Sequence, residues 1–140
     1  MGAAAYLIRH ARAGRRSVWK GPDDERPLSG KGRQQARSIA RLLRSEPITR
    51  IVSSPFVRCV QTVEPLAAAL GLEVELDQRL AEGESRDGAL ALLASLGGGV
   101  ACTHGDIVEA VLGRSLDKGA AVVVEPAGGA LREVEELPAP

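Results

Sequence analysis

Apolar residues come in two rhythms along this chain, short runs and helical stripes, and they alternate. The first run, 3–9 (Ala-Ala-Ala-Tyr-Leu-Ile-Arg), reads as a buried strand. A long stretch, 11–28, follows with Gly14, Gly21, Pro22 and Pro27, and reads as a loop of functional length. Ser29 is a good N-cap for a helix to about Arg44. Its apolar face is Ala36, Ile39, Ala40 and Leu43, with Arg33, Arg37, Arg41 and Arg44 toward solvent and Pro47 beyond its end. Residues 48–53 form the next strand.

Ser54-Pro55 opens a second helix, because proline suits a first helical turn. Phe56, Val60, Val63, Ala67 and Leu70 make its stripe, Pro65 should bend or break it, and Gly71 closes it. Further along come a short strand at 73–77, a helix at 86–95 ended by Gly97-Gly98-Gly99, a buried strand at 100–103 and a short helix at 106–112. Strands at 120–124 and 130–135 join around Pro126, Gly128 and Gly129, and Leu137-Pro138-Ala139-Pro140 reads as a loose tail. Strands alternating with helices predict one α/β domain over 1–140, a three-layer sandwich with a largely parallel central sheet flanked by helices.

Composition narrows the class without naming a chemistry. Of 140 residues, 44% are apolar and 26% charged, ordinary for a soluble domain, and the few aromatics leave the core to Ala, Val, Leu and Ile. There is no apolar stretch long enough for a membrane helix, and no basic segment ahead of an apolar one to suggest a secretory signal. Cys59 and Cys102 are not spaced as a ligand pair or a disulfide framework. A cytoplasmic location is expected. The formal net charge of +0 argues against a nucleic-acid polymer as partner. Locally, though, Arg9, Arg12, Arg15, Arg16 and Lys20 lie close together, a candidate basic rim.

In such sheets ligands bind where strands end at their carboxyl edge. Arg9-His10, Ser53-Ser54 and Thr103-His104 all fall there. Neutral imidazole can attack phosphorus without first losing a proton, given the right tautomer, so His10 is the candidate nucleophile. Arg9 and Arg58 can grip phosphoryl oxygens with planar, always-charged forks, Arg58 with the help of a helix N-terminus. His104 is a second candidate phosphate ligand, with Gly105 permitting close approach. Glu82, in Leu80-Ala81-Glu82-Gly83, is the candidate acid for a leaving group, with Glu84 and Asp106 as alternatives. Neither cysteine has an arginine six positions on, as a thiol phosphatase needs, so both read as small apolar fillers. The histidines make no metal site, and no cofactor is expected.

Four blocks, in order, resemble the histidine phosphatase (phosphoglycerate-mutase-like) superfamily. They are Leu7-Ile8-Arg9-His10-Ala11, Pro27-Leu28-Ser29 through Gly32 to Gln35-Ala36, Ser53-Ser54-Pro55 through Arg58 to Gln61-Thr62, and Thr103-His104-Gly105-Asp106. The resemblance implies metal-independent phosphoryl transfer through a phosphohistidine at His10, with Arg9, Arg58 and His104 completing the pocket and Glu82 as proton donor. Ala11 in place of the usual glycine, and the short span from Arg58 to His104, are similar to the SixA-like branch without a cap subdomain. That branch implies a phosphohistidine-protein substrate. The loop with Trp19 and Gly21-Pro22 also looks like the phosphatase domain fused to Nudix hydrolases in some actinobacteria. That likeness implies nucleotide or other small phosphorylated metabolites, with Arg12, Arg15, Arg16 and Lys20 meeting a second phosphate. A phosphate- or phosphoprotein-binding module without turnover is the third alternative.

Overall fold

A computed structural model describes residues 4–140. The predicted first strand therefore begins, at Ala3, outside the described residues. β1 (Ala5–Arg9), β2 (Arg50–Ser53), β3 (Val74–Leu76), β4 (Gly99–Thr103), β5 (Ala121–Ala127) and β6 (Ala130–Leu137) form one sheet in the order β3-β2-β4-β1-β5-β6. The first four in that order run parallel, while β5 is antiparallel to β1 and β6 to β5. The sheet is thus mixed but mostly parallel.

Side chains of a strand alternate between faces, and here both faces are apolar and covered. Leu7, Val52, Ala101 and Val122 pack in one cluster with residues of α3 (Arg86–Ala94) and α4 (Gly105–Leu112). Ile8, Ile51, Val100, Cys102 and Ala121 pack in the other with α1 (Gly30–Leu43) and α2 (Val57–Leu70). Among the described residues no subdomain is inserted between Arg58 and His104: the chain there spends itself on the rest of α2, β3, a short 3-10 turn at Gln78–Leu80, α3 and β4.

α1 begins as its cap predicts, with Ser29 Oγ accepting from the Gly32 N–H at 3.1 Å. Gly32 is required for a different reason. A Cβ there would sit 1.9 Å from the Arg12 carbonyl oxygen, so a glycine lets the helix start lie directly on the loop after His10.

Four expectations shift. α2 starts at Val57, capped by Phe56, so Pro55 precedes the helix rather than opening it. Its buried stripe is Cys59, Thr62, Val63, Leu66 and Ala67, because two polar residues, Arg58 and Thr62, face inward. Pro65 stands inside an unbroken helix. The C-terminal stretch is tied down: β6 runs to Leu137, Ala139 packs on the core, and the Pro140 carbonyl accepts from Gln35 Nε2 at 3.4 Å. The hairpin turn before β6 is Gly128-Gly129, both at positive φ, as a two-residue loop that follows strand twist requires.

Candidate active site

The parallel register brings the three strand ends together. Arg9 pairs with Thr103 across β1 and β4, and Ser53 with Cys102 across β2 and β4. The pattern continues one residue further, with the His10 N–H bonded to the Thr103 carbonyl and the Ser54 N–H to the Cys102 carbonyl, each at 3.0 Å. His10 and His104 consequently lie edge to face, their rings 5.5 Å apart. His10 lines a cleft of about 750 Å³, and His104 lies buried behind it.

His10 Nδ1 is 2.8 Å from the carbonyl of Ala11. A carbonyl only accepts, so Nδ1 carries the hydrogen and Nε2 keeps its lone pair. Burial, offset in part by the Ala11 hydrogen bond and reinforced by the charges of His104, Arg58 and Arg9, lowers the His10 pKa from 6.5 to about 3. The ring therefore stays neutral throughout the physiological range. Between about pH 6.5 and 3 the unfolded chain binds a proton that the folded one does not, so His10 makes stability fall as pH falls across that window. Histidine NMR should show His10 without a protonation shift on acidification from pH 7 to pH 4.5. An imidazolium appearing near pH 6.5 would contradict the buried, neutral state.

His104 is held at Nε2 by Ser54 Oγ, 2.8 Å away. Ser54 Oγ also accepts from the Phe56 N–H at 3.2 Å, which frees its own hydrogen for Nε2. The hydrogen of His104 then belongs on Nδ1, which is buried, has no partner within hydrogen-bond reach, and lies 3.5 Å from Glu82 Oε1. Phe56 packs edge-on against the same ring at 4.6 Å. Cys59 Sγ sits 3.5 Å from His104 Nε2, so this cysteine supports the ring as well as filling space. Cys102 is the filler expected, fully buried in the core.

Arg58 is fully buried, although it is an arginine on the second residue of a helix. Its Nη1 donates to the Asp23 carbonyl at 2.8 Å, and its Nη2 reaches Asp23 Oδ2 at 3.2 Å and Glu82 Oε1 at 2.9 Å. The guanidinium lies 5.0 Å over the Phe56 ring. Arg9 donates to the Leu116 carbonyl, and its guanidinium lies flat on Gly105, where a Cβ would be 2.9 Å from Cζ. The expected close approach at Gly105 is thus made by Arg9.

Glu82 lines the cleft with Arg9, His10 and Arg58; Glu84 does not. Asp106 lines it too, but its Oδ2 accepts from the Gly83 N–H at 2.8 Å, so it ties the Glu82 loop to α4. The basic rim divides. Arg15 and Arg16 line the cleft, Arg12 faces a neighbouring cleft of about 510 Å³, and Lys20 lines neither.

Three residues of this region were not foreseen. Asp23 binds Arg16, Arg26 and Arg58 at 3.2, 3.1 and 3.2 Å and so fastens the 11–28 loop over the site. Arg26 is almost fully buried and donates to the Gly14 carbonyl. Lys118 enters the cleft from the segment before β5. The Asp23-to-Arg26 spacing, one turn apart, was the only sequence signal for any of them. The polar residues of the four blocks prove to be loop fasteners. Gln61 Oε1 accepts from the Leu28 N–H, Gln35 Oε1 from the Arg12 N–H, and Thr62 Oγ1 from the Ala11 N–H.

The family profile of the histidine phosphatase superfamily (branch 1) matches residues 5–89, more than half of the chain. This chain belongs to that superfamily. An 8-oxo-(d)GTP phosphatase of Mycolicibacterium smegmatis (strain ATCC 700084 / mc(2)155) is 34% identical over 113 residues, 76% of this chain and 35% of that protein. A probable phosphoglycerate mutase GpmB of Enterobacter sp. (strain 638) is 42% identical over 80 residues, 55% of this chain and 36% of that one. The chain therefore spans about a third of the length of these curated relatives. In fold it is similar to the protein histidine phosphatase SixA complexed with tungstate, with a TM-score of 0.80, 22% identity and 96% of each chain covered.

Among the described residues no three His, Cys, Asp or Glu side chains gather as a metal site. No helix is long and apolar enough to cross a membrane.

Proposed function

We propose that this histidine phosphatase works without a metal, through a phosphohistidine on His10. The observation that carries the reading is the Nδ1 hydrogen bond to Ala11, which leaves a neutral ring with its Nε2 lone pair beside Arg9, Arg58 and His104. His10 Nε2 forms a bond to phosphorus as the ester oxygen leaves. Water then attacks the phosphohistidine, the N–P bond breaks, and phosphate is released. Arg9, Arg58 and the Nδ1 hydrogen of His104 meet the charge on the equatorial oxygens. The Asp23 and Glu82 carboxylates now on Arg58 give way to the phosphoryl group, and Glu82, set free beside it, takes up a proton from solvent and passes it to the leaving oxygen.

Two substrate classes have support. Among the described residues no inserted subdomain covers the cleft, and the fold is similar to that of SixA over 96% of both chains, which favours a phosphohistidine protein. The arginines of the cleft, and the relative named an 8-oxo-(d)GTP phosphatase, favour a nucleotide. Turnover of p-nitrophenyl phosphate by the purified protein tests the activity. A panel of phosphohistidine protein, nucleoside diphosphate and sugar phosphate ranks the substrates. A folded protein inert toward all of them would leave the binding-module reading.

Glu82→Gln should slow an alkyl phosphate by about 10²–10⁴-fold while largely sparing p-nitrophenyl phosphate, whose leaving group departs without a proton. Equal losses on both would take the acid role from Glu82.

A further inference from the structure

The outer face of α1 is built against its own electrostatics. No Asp or Glu occurs between Gly30 and Leu43, and Arg33 stands in the first turn, where the positive end of the helix dipole disfavours a cation. Arg33, Arg37 and Arg41 repeat at every fourth residue, a spacing at which like charges repel. With Arg44 at the C-cap they fall within about a quarter turn of one another around the helix. All four are exposed, in one stripe roughly 16 Å long.

Elsewhere the fold gives its exposed arginines a carboxylate: Arg16 has Asp23, Arg50 has Glu75, Arg79 has Asp77, and Arg114 has Glu133 and Glu136. Among the described residues no carboxylate comes within ion-pair reach of any arginine of the stripe. Arg41 donates to Ser38 Oγ, in its own helix, at 3.3 Å. None of the four lines the catalytic cleft or the neighbouring one. Arg33 and Arg37 instead edge a groove of about 380 Å³ between α1 and α2, whose other lining residues are Ala36, Gln61, Glu64 and Pro65.

We propose that the arginine stripe of α1 and the groove beside it dock an acidic segment of another protein, which brings carboxylates to the arginines and a small apolar side chain to Ala36 and Pro65. Charge complementarity and the mixed lining choose this occupant. Guanidinium forks in a row take carboxylates in a row, each through two parallel hydrogen bonds, and one helix or strand of a partner presents such a row. Glu64 works against a uniformly anionic polymer, since a phosphate backbone laid along Arg33 and Arg37 would meet that carboxylate. A lipid surface asks for a plane of cations, whereas the exposed residues of α2 are Glu64, Ala68 and Ala69. A polypeptide can set carboxylates on the arginines and a neutral or basic residue opposite Glu64. A second copy of this chain offers no match in its acidic strand β6, where Glu133 and Glu136 are already taken by Arg114. Because the stripe stands apart from the cleft, the proposal is independent of the chemistry at His10.

Fluorescence anisotropy on the full chain tests it, with a labelled peptide of repeating Glu-Glu-Leu, about twelve residues long so that it spans the stripe as a helix. The peptide should bind, and more weakly as salt is raised. Arg33→Glu combined with Arg37→Glu should weaken it about tenfold, whereas Arg79→Glu combined with Arg132→Glu, the same change of net charge elsewhere, should leave it within about twofold. Both double variants should keep the circular dichroism of the unsubstituted chain, and the stripe variant its rate on p-nitrophenyl phosphate. Arg37→Gln, which relieves repulsion and breaks no contact, should melt no lower than the unsubstituted protein. No binding of the peptide, or equal weakening by the two double variants, would overturn the docking surface. Tighter binding of an oligouridylate of similar length, or of phosphatidylserine vesicles, lost with Arg33 and Arg37, would overturn the protein partner. A lower melting temperature for Arg37→Gln would show the stripe to be used within the fold, and would overturn the proposal as well.

Discussion

His10→Ala should abolish turnover, with an expected loss of more than about 10⁴-fold for every substrate, because on the proposed mechanism it removes the atom that bonds to phosphorus. On the same mechanism Arg9, Arg58 and His104 would still bind phosphate but would have nothing to pass it to. The same change should abolish the trapped phosphoenzyme. In the unsubstituted protein, label from a radioactive substrate, quenched rapidly in base, should sit on His10 as a phosphoramidate, stable to alkali and lost in acid. Label remaining on the His10→Ala protein, or an acid-stable adduct on the unsubstituted one, would move the nucleophile elsewhere. The substitution should leave the fold in place. The His10 side chain makes one hydrogen bond, to its own neighbour's carbonyl, and the strand pairing around it is made by backbone.

Arg58→Ala has the second-largest expected effect, and a different signature. Loss of a charge-assisted donor to a developing oxyanion lowers rate by about 10²–10³-fold. It should fall equally on p-nitrophenyl and alkyl phosphates, since the phosphoryl group is common to both. That pattern separates Arg58 from Glu82, whose loss discriminates by leaving group. Arg58 also holds the 11–28 loop through the Asp23 carbonyl and carboxylate, so the variant should lose stability by about 1–3 kcal/mol. Arg58→Lys keeps the charge but lacks the planar fork that reaches Asp23 and Glu82 together, and should recover little of the rate. A kcat/KM within tenfold of the unsubstituted protein for Arg58→Ala would show that Arg9 and His104 suffice to grip the phosphoryl group.

The elements themselves were legible because each is set by local chemistry. β1 and β4 are buried on both faces and read as unbroken apolar runs ending in Arg9-His10 and Thr103-His104. α1 carries its own start signal in Ser29 and its own period in Ala36, Ile39, Ala40 and Leu43. Because parallel strands in such a sheet align their carboxyl ends, the meeting of His10, Ser54 and His104 also followed from the sequence.

What the sequence could not determine lies in long-range polar pairing. Local periodicity has no term for an arginine that is buried because a loop 35 residues away brings it a carbonyl and a carboxylate, yet that is how Arg58 turns inward and rotates the buried stripe of α2. Pro65 forfeits one helical hydrogen bond, and the α2 packing on the sheet tolerates the loss. The tail is held by Gln35, more than a hundred residues earlier. The basic rim followed the same logic. Nearness in sequence suggested Arg12 and Lys20, whereas Asp23 and the Gly119 backbone decided that Arg26 and Lys118 stand at the site instead. Burial and backbone pattern are written residue by residue. Which charges meet depends on where the whole chain has already folded, and only the tertiary structure carries that.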